Sequence, residues 1–251
     1  MSAPVIWYFI KFFEEESYAD QFMAGRLHLN TLAYFKQAES RAGRMDSTEG
    51  VAMWWQPDDI VMKLSVPKLG LGIQIKREDL AAPVSTSFNY HSYLHIFCMY
   101  AVYSKGFECV NGKFRCEPEE VEELQRQLKI DERCCEFGKF AVIIYAVPFL
   151  DQLDKALKTR GYKAKRKLVE YYDERVFHGE IPVNEIPFRK QMRFRHQREF
   201  RLCVDTGSRR DCPITIDIGE ISHFCTKVES AKVPELFELK PDPPASPSER
   251  N

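Results

Sequence analysis

A chain of 251 residues with 44% hydrophobic and 13% aromatic side chains is long and apolar enough to bury a full core. Its formal charge is −1 at pH 7, and no segment approaches the roughly 18 apolar residues of a membrane span. The apolar run at residues 5–13 contains Lys11 and is followed by three glutamates, a pattern that argues against a secretory signal peptide. We therefore expect a cytoplasmic protein with one domain over residues 1–240 and a disordered tail at 241–251.

Three uninterrupted apolar runs are the strongest signals for strands. They lie at residues 5–13, 95–103 and 139–146, and apolar side chains at both odd and even positions indicate strands that are covered on both faces. Three such strands predict a sheet buried on both sides.

The remaining predicted elements are short. Before the second apolar run they are a helix ending at Gly25 and strands at residues 60–65 and 72–76. After it they are helices beginning at Pro118 and Pro148, a basic amphipathic helix through Phe188 and Met192, and a strand opening at Gln197. Strands and helices alternate irregularly, and no glycine-rich nucleotide turn is present. The sequence therefore predicts an α+β fold, in which short helices pack on a mixed, twisted sheet that can also be split. The eight cysteines form no C-x-x-C pair, so we expect reduced thiols and no metal site.

The segment that opens the last apolar run is the first candidate site. In a strand, the period of two places Gln197, Glu199 and Arg201 on one side, and Phe200, Leu202 and Val204 on the other. A carboxylate between an amide and a guanidinium can hold a ribose or stabilise a cation. The alternative is an ordinary half-exposed strand, on which Glu199 pairs with Arg195 or Arg201 at the surface.

Two other segments carry polar groups that could complete such a site. Tyr8 and Lys11 are polar residues of the first apolar run, although Lys11 can also extend from the strand end to water. Ser85 and Ser87 are two apart on an extended segment and would share one face, although a hydroxyl-rich loop explains them as well.

The order of these segments resembles that of ADP-ribosyltransferases, in which a basic residue or histidine, an S-T-S strand and a Q/E-x-E motif hold NAD in the cleft of a split sheet. The resemblance implies that Glu199 hydrogen-bonds the nicotinamide ribose and stabilises its oxocarbenium ion, and that Gln197 orients the acceptor. Ser85 or Ser87 would support the nicotinamide, and Tyr8, Lys11 and Arg201 would contribute to NAD binding. Lys11 departs from the family pattern, because many members have arginine or histidine there.

A broader likeness covers most of the chain and is to uncharacterised bacterial proteins. The residues that carry it are residues 22–32, Tyr34-Phe35, Arg44-x-Asp46-x-x-Glu49-Gly50, Phe188-x-Lys190, Gln197-x-Glu199-Phe200-Arg201 and residues 218–221. It implies a bacterial or phage source, where such an enzyme could act as a conflict effector, but it implies no activity. It also marks Arg44, Asp46 and Glu49 as a second candidate site, because two carboxylates three residues apart can bind Mg²⁺ or act as acid and base. The alternative there is a salt-bridged surface turn.

An uneven distribution of charge supports a different class of function. Between Asp154 and Arg201 the chain has 14 basic and 7 acidic residues. A basic stretch at residues 155–201 could bind a nucleotide or nucleic acid without catalysis. The alternative is a set of solvated helix and strand faces.

Overall fold

The computed structural model describes residues 3–37, 48–110 and 113–239. The helices are α1 Glu16–Met23, α2 Leu32–Gln37, α3 Val121–Leu128 and α4 Ala146–Arg160. The strands are β1 Val5–Phe13, β2 Arg26–Thr31, β3 Val51–Trp55, β4 Met62–Val66, β5 Leu71–Ile75, β6 Val84–Ser87, β7 His95–Ser104, β8 Glu108–Val110, β9 Lys113–Arg115, β10 Phe140–Tyr145, β11 Lys163–Leu168, β12 Glu170–Tyr172, β13 Gly179–Glu180, β14 Arg189–Gln191, β15 Glu199–Asp205, β16 Ile214–Asp217 and β17 Cys225–Glu229. Short 3₁₀ helices occupy Pro57–Asp59, Pro67–Leu69, Arg77–Asp79, Asn89–Tyr93, Pro118–Glu120, Glu132–Phe137, Ile186–Phe188, Met192–Gln197, Ser222–Phe224 and Ser230–Leu236.

An antiparallel sheet of eight strands forms the frame of the molecule. Six strands follow the order β11-β15-β7-β1-β10-β17, and β2 joins the edge of β7 and carries β16. The three apolar runs of the sequence form β7, β1 and β10, which are neighbours in the centre of this sheet. The predicted α+β class is confirmed. The main sheet is antiparallel rather than mixed, because the parallel pair of β12 with β14 forms a separate two-stranded sheet.

One face of the sheet carries the main apolar core. Phe9 of β1 and Phe200 of β15 pack there against Phe22 of α1 and Phe149 of α4. The ring centroids of Phe9 and Phe200 are 4.6 Å apart, and those of Phe9 and Phe149 are 5.8 Å apart. Leu202 and Val204 belong to the same core. The predicted parity of β15 is therefore confirmed, and Glu199 and Arg201 lie on the opposite face.

That opposite face is covered by two smaller apolar clusters with polar side chains between them. The first cluster packs Ile10, Phe12, Tyr100 and Val102 with Ile130, Cys134, Ala141 and Val233. The second packs Leu32, Ile96, Phe188 and Cys203. The Glu199 and Arg201 side chains of β15 emerge between these clusters.

The main sheet is split where β1 and β2 share one edge of β7. β1 pairs with residues 100–104 of β7, whereas β2 pairs with residues 95 and 96. Residues 97–99 face the gap between these two pairings, and the Lys11 Nζ donates a hydrogen bond to the Cys98 carbonyl oxygen there at 2.7 Å. The split creates an opening in the sheet next to Glu199 and Arg201.

Two elements beside this opening differ from the sequence prediction. The predicted helix through Phe188 and Met192 is wrong, because Arg189–Gln191 is a strand that pairs with β12. The strand predicted to open at Gln197 begins at Glu199, since Gln197 ends the 3₁₀ helix Met192–Gln197. No described helix is long and apolar enough to cross a membrane. The predicted tail at 241–251 lies outside the described residues.

Candidate functional site

Five polar side chains meet beneath the opening, and we call them the buried charge cluster: Glu49, Lys190, Gln197, Glu199 and Arg201. Each is at most 7% exposed. Charged side chains are almost never buried to this extent unless they are paired. The cluster contains two carboxylates and two cations, so its formal charges cancel.

Arg201 is the centre of the buried charge cluster. Its Nη1 and Nη2 donate to the two carboxylate oxygens of Glu49, each at 2.9 Å. Its Nε donates to Glu199 Oε1 at 2.7 Å, and its Nη1 also donates to the Pro187 carbonyl oxygen at 2.6 Å. The bidentate bond to Glu49 fixes the guanidinium plane, and with it the position of the Glu199 carboxylate.

Lys190, which lies on β14, is the second cation of the cluster. Its Nζ donates to Gln197 Oε1 at 2.8 Å and to Glu199 Oε2 at 3.2 Å, and it lies 3.3 Å from Glu49 Oε1. The ammonium group is also 4.9 Å from the centroid of the Phe194 ring. Lys190 therefore links both carboxylates to the amide of Gln197.

The charges of the cluster keep its members ionised. Burial alone would raise the pKa of Glu199, but the charges of Arg201 and Lys190 outweigh burial and hold that pKa well below its usual range. Burial would likewise lower the pKa of Lys190, but the charges of Glu199 and Glu49 more than offset it, and the pKa is raised. Glu199 is therefore a carboxylate, and Lys190 an ammonium, at neutral pH.

A left-handed residue brings Gln197 into the cluster. Arg198 has φ 39°, the one positive φ of a non-glycine residue in the described part of the chain, and such a conformation is uncommon. It lets Gln197 and Glu199 point to the same place from different elements, while the Arg198 side chain goes the other way. The Arg198 Nη2 donates to the Tyr103 carbonyl oxygen at 2.8 Å, and the Nη1 donates to the Gln127 carbonyl oxygen.

A cavity of about 250 Å³ opens from the split sheet onto the buried charge cluster. All five members of the cluster line it, together with Lys11 and Cys98. His28, Asn30 and Tyr34 also line the cavity, and among them His28 and Tyr34 are exposed to solvent. The polar cluster thus forms the interior of a cavity whose outer residues come from β2 and α2.

The structure brings only part of the predicted NAD site together. Gln197, Glu199, Arg201 and Lys11 share the cavity. Tyr8 does not, because its ring packs against Tyr145 and Phe237, with ring centroids 5.1 and 5.5 Å away, and it lines a different cavity with Trp7 and Phe237. The ion pair between Glu199 and Arg201, which the sequence also allowed as a surface contact, is buried.

The serines of the S-T-S segment also lie elsewhere. Ser85 and Ser87 belong to β6, which pairs with β3 in a separate three-stranded sheet. Both serines are exposed and do not line the cavity. Their order along the chain suggested a role that their position does not support, because the strand that carries them is not part of the split sheet.

One residue of the second candidate site, Glu49, belongs to the first. Glu49 is the bidentate partner of Arg201, so it is a member of the buried charge cluster rather than of a surface turn. Arg44 and Asp46 lie outside the described residues. Within the described ranges, no three His, Cys, Asp or Glu side chains are grouped to hold a metal ion.

Sequence reasoning missed several residues of the cavity, chiefly Lys190, Cys98, His28 and Asn30. Burial and, after it, the charge of Glu199 raise the pKa of the Cys98 thiol to about 12, so Cys98 is a thiol beside the carboxylate. For Lys190, His28 and Asn30 the sequence did contain a signal. They lie in the segments that carry the likeness to bacterial proteins, as do Glu49 and Glu199.

A second concave surface, the basic groove, lies on the other side of the segment at residues 197–199. It has a volume of about 1000 Å³ and is lined by Lys105, Arg126, Lys129, Arg133, Arg193, Arg195 and Arg198, with Tyr103, Tyr171 and the acids Glu123, Asp131 and Glu132. Seven cations face three carboxylates, in a chain with a formal charge of −1. The Arg198 guanidinium carbon lies 4.0 Å from the centroid of the Tyr103 ring.

The basic groove only partly matches the predicted basic stretch at residues 155–201. From that stretch it takes Arg193, Arg195 and Arg198, whereas its other cations come from residues 105–133. Arg166 pairs instead with Asp154, and Lys167 with Glu170 and Glu185. Arg166 and Lys167 are therefore ion-paired and do not contribute to the basic groove.

No protein-family model matches this chain, and no curated protein or solved structure is significantly similar to it. The likenesses to ADP-ribosyltransferases and to bacterial proteins therefore stay predictions that rest on the quoted motifs.

Proposed function

We propose that this chain is an ADP-ribosyltransferase-like enzyme that uses NAD as its substrate and Glu199 as its catalytic carboxylate. The observation that carries the proposal is that Glu199 and Gln197 line one cavity with Lys11, at the place where the main sheet splits. The proposal includes the cytoplasm as the compartment, where thiols stay reduced, and a role in conflict between bacteria and phages.

The chemistry requires a carboxylate that stays ionised. The bond between C1′ of the ribose and the nicotinamide nitrogen would break, and its electron pair would leave with nicotinamide. The resulting oxocarbenium ion is positive, so a fixed negative charge next to C1′ stabilises the transition state. The lowered pKa of Glu199 supplies this charge at neutral pH. A protein or nucleic-acid acceptor would then attack C1′ and lose a proton.

A ribose hydroxyl can reach Glu199 through the weaker of its two ion pairs. The bond from Lys190 to Glu199 Oε2 measures 3.2 Å, against 2.7 Å for the bond from Arg201 to Oε1. If a hydroxyl replaced Lys190 at Oε2, Lys190 would keep Gln197 and Glu49 as partners. Arg201 would meanwhile hold the carboxylate in place.

The size of the cavity limits which part of NAD it can hold. Ligand pockets usually measure about 300–1,000 Å³, and this cavity has about 250 Å³. It fits the nicotinamide and its ribose better than the whole dinucleotide. The diphosphate and adenosine would then extend past the exposed His28 and Tyr34 side chains.

Glu199→Gln is expected to lower the rate of nicotinamide release and of acceptor labelling by about 10²–10³-fold, because it removes the charge that stabilises the cation. The measurement incubates the protein with radiolabelled NAD and a bacterial lysate, and follows both free nicotinamide and labelled macromolecules. The wild type and the variant are compared at equal concentrations of folded protein, checked by circular dichroism.

Glu49→Gln is the matched control, because it removes a carboxylate from the same cluster and weakens the hold on Arg201, but keeps the carboxylate of Glu199 itself. A rate within about tenfold of the wild type is expected for it. Equal losses in both variants would mean that Glu199 acts only through the integrity of the cluster. A wild-type protein that neither consumes NAD nor labels an acceptor refutes the proposal.

A second candidate function is non-catalytic binding of single-stranded nucleic acid or a nucleotide in the basic groove. The observation that favours it is the excess of seven cations over three carboxylates, next to tyrosine rings. Lys105, Lys129 and Arg195 have no described carboxylate within ion-pair distance, so they remain available to phosphates. Aromatic rings beside cations are a usual feature of surfaces that stack bases.

Arg193→Glu with Arg195→Glu is expected to abolish binding of a fluorescent oligonucleotide at low salt, and the wild-type affinity should fall steeply as salt rises. Lys163→Glu with Lys165→Glu is the matched control: it reverses two exposed charges of β11 that do not line the groove, and binding should persist. Glu199→Gln should also bind normally. A wild-type protein without affinity in 50 mM salt excludes this function.

A further inference from the structure

The hairpin of β4 and β5 has one face made only of aliphatic side chains. Its register pairs Met62 with Ile75, Leu64 with Ile73, and Val66 with Leu71. Because side chains alternate along a strand, these six lie on one face. The other face carries Lys63, Ser65, Gly72 and Gln74.

This aliphatic face is exposed to solvent. Leu64, Leu71 and Ile73 are 61%, 62% and 67% exposed, and Leu69 in the turn is 68% exposed. No residue from 57 to 80 is buried. A two-stranded hairpin is marginally stable in water unless its apolar face packs on something, so the hairpin lacks the cover that its sequence requires.

We propose that the aliphatic face of the β4–β5 hairpin is the interface of a homodimer. The largest apolar patch on a typical monomer covers about 300–600 Å², and the four exposed side chains of this face, Leu64, Val66, Leu71 and Ile73, together with Leu69 of the turn, form a patch of about that order. Two such patches in contact bury on the order of 1,000 Å², which is about the lower bound for a specific interface.

The charges around the hairpin favour a second copy over other partners. Residues 60–75 carry Lys63 and Lys68 and no acid, whereas the base of the hairpin carries Asp58, Asp59, Glu78 and Asp79 against Lys76 and Arg77. The outer part therefore has two positive charges, and the base has a net charge of −2. An anionic membrane would attract the outer part but repel the base.

A two-fold axis between the two hairpins brings the positive and negative charges of the two copies together. If the two hairpins pack face to face and antiparallel, the outer part of each copy lies over the base of the other. The positive turn at Lys68 then approaches the acids of the partner copy in both halves of the interface, as a self-complementary two-fold interface requires. Within one chain, Arg77 pairs with Asp58, and Lys76 lies 3.9 Å from Glu78.

The test measures the mass of the full chain in solution by analytical ultracentrifugation over a range of protein concentrations. The wild type should be a dimer. Leu64→Thr with Ile73→Thr should raise the dissociation constant at least about tenfold, because it removes the central aliphatic pair while keeping β-branched residues that favour strands. Ser65→Thr with Gln74→Thr, two uncharged positions on the polar face, should leave the dimer intact.

A substitution that unfolds the hairpin would also abolish the dimer, so a second measurement uses the wild type alone. Hydrogen exchange of the amides in residues 62–75 should slow as the protein concentration rises, because dimer formation protects the hairpin. A wild type that stays monomeric at 100 μM overturns the proposal, as does a dimer that survives the Leu64/Ile73 change. Binding of monomeric protein to vesicles of phosphatidylglycerol would assign the face to a lipid surface instead and would equally overturn it.

Discussion

Arg201→Leu is expected to lower the free energy of unfolding by about 3–5 kcal/mol, because it leaves two buried carboxylates, those of Glu49 and Glu199, with Lys190 as their remaining cationic partner in the buried charge cluster. Urea unfolding followed by fluorescence measures the change. Arg166→Leu is the matched control on the neighbouring strand β11, because its ion pair with Asp154 is partly exposed. That control should lose less than about 1 kcal/mol.

The same substitution should change how stability depends on pH. The pKa of Glu199 in the folded protein lies below its ordinary value of 4.5. Its carboxylate therefore contributes stability that is complete above pH 4.5 and is lost as the pH falls towards the folded pKa. Without Arg201, much of this contribution is absent at every pH, so stability should fall less steeply below pH 4.5 in the variant. If the free energy of unfolding depended on pH equally in the two proteins, or if the variant lost less than about 1 kcal/mol of it at pH 7, water would have to solvate the cluster.

The sequence predicts the frame of this fold well because the signals are local. An apolar run of strand length must be covered on both faces wherever it lies, so β1, β7 and β10 can be identified without their partners. The parity of β15 is local in the same sense. It places Glu199 and Arg201 opposite Phe200 before any tertiary contact is known.

The composition of the cavity is less predictable because it depends on contacts between distant segments. Arg201 binds Glu49, which precedes it by 152 residues, and no periodicity links the two. Gln197 joins the site through a left-handed residue and a 3₁₀ helix, which no pattern of alternation predicts. Ser85 and Ser87 follow the expected order along the chain, but they lie on a different sheet and do not line the cavity, because order along the chain does not fix which strands pair.

Gly25→Ala is the second substitution expected to have a large effect, because Gly25 lies where the turn after α1 touches the end of β16. Its φ is +87°, and a Cβ atom there would lie 1.9 Å from the Gly219 carbonyl oxygen. The Gly25 carbonyl oxygen also accepts a hydrogen bond from the Ile218 amide at 2.9 Å. The backbones must separate to admit a methyl group, at a cost of about 1–3 kcal/mol for overpacking beyond the roughly 1–2 kcal/mol of the left-handed conformation.

Gly161→Ala separates these two contributions. Gly161 ends α4 with φ +67°, but no atom lies within 4 Å of the position that its Cβ would take. It should therefore show only the conformational cost, and Gly25→Ala should unfold at a clearly lower urea concentration. Equal losses would mean that the end of β16 moves aside freely. Since β2 starts at Arg26 and carries His28 and Asn30, a shift at Gly25 should also alter the cavity. The proposed NAD site therefore predicts weaker NAD binding for Gly25→Ala and unchanged binding for Gly161→Ala.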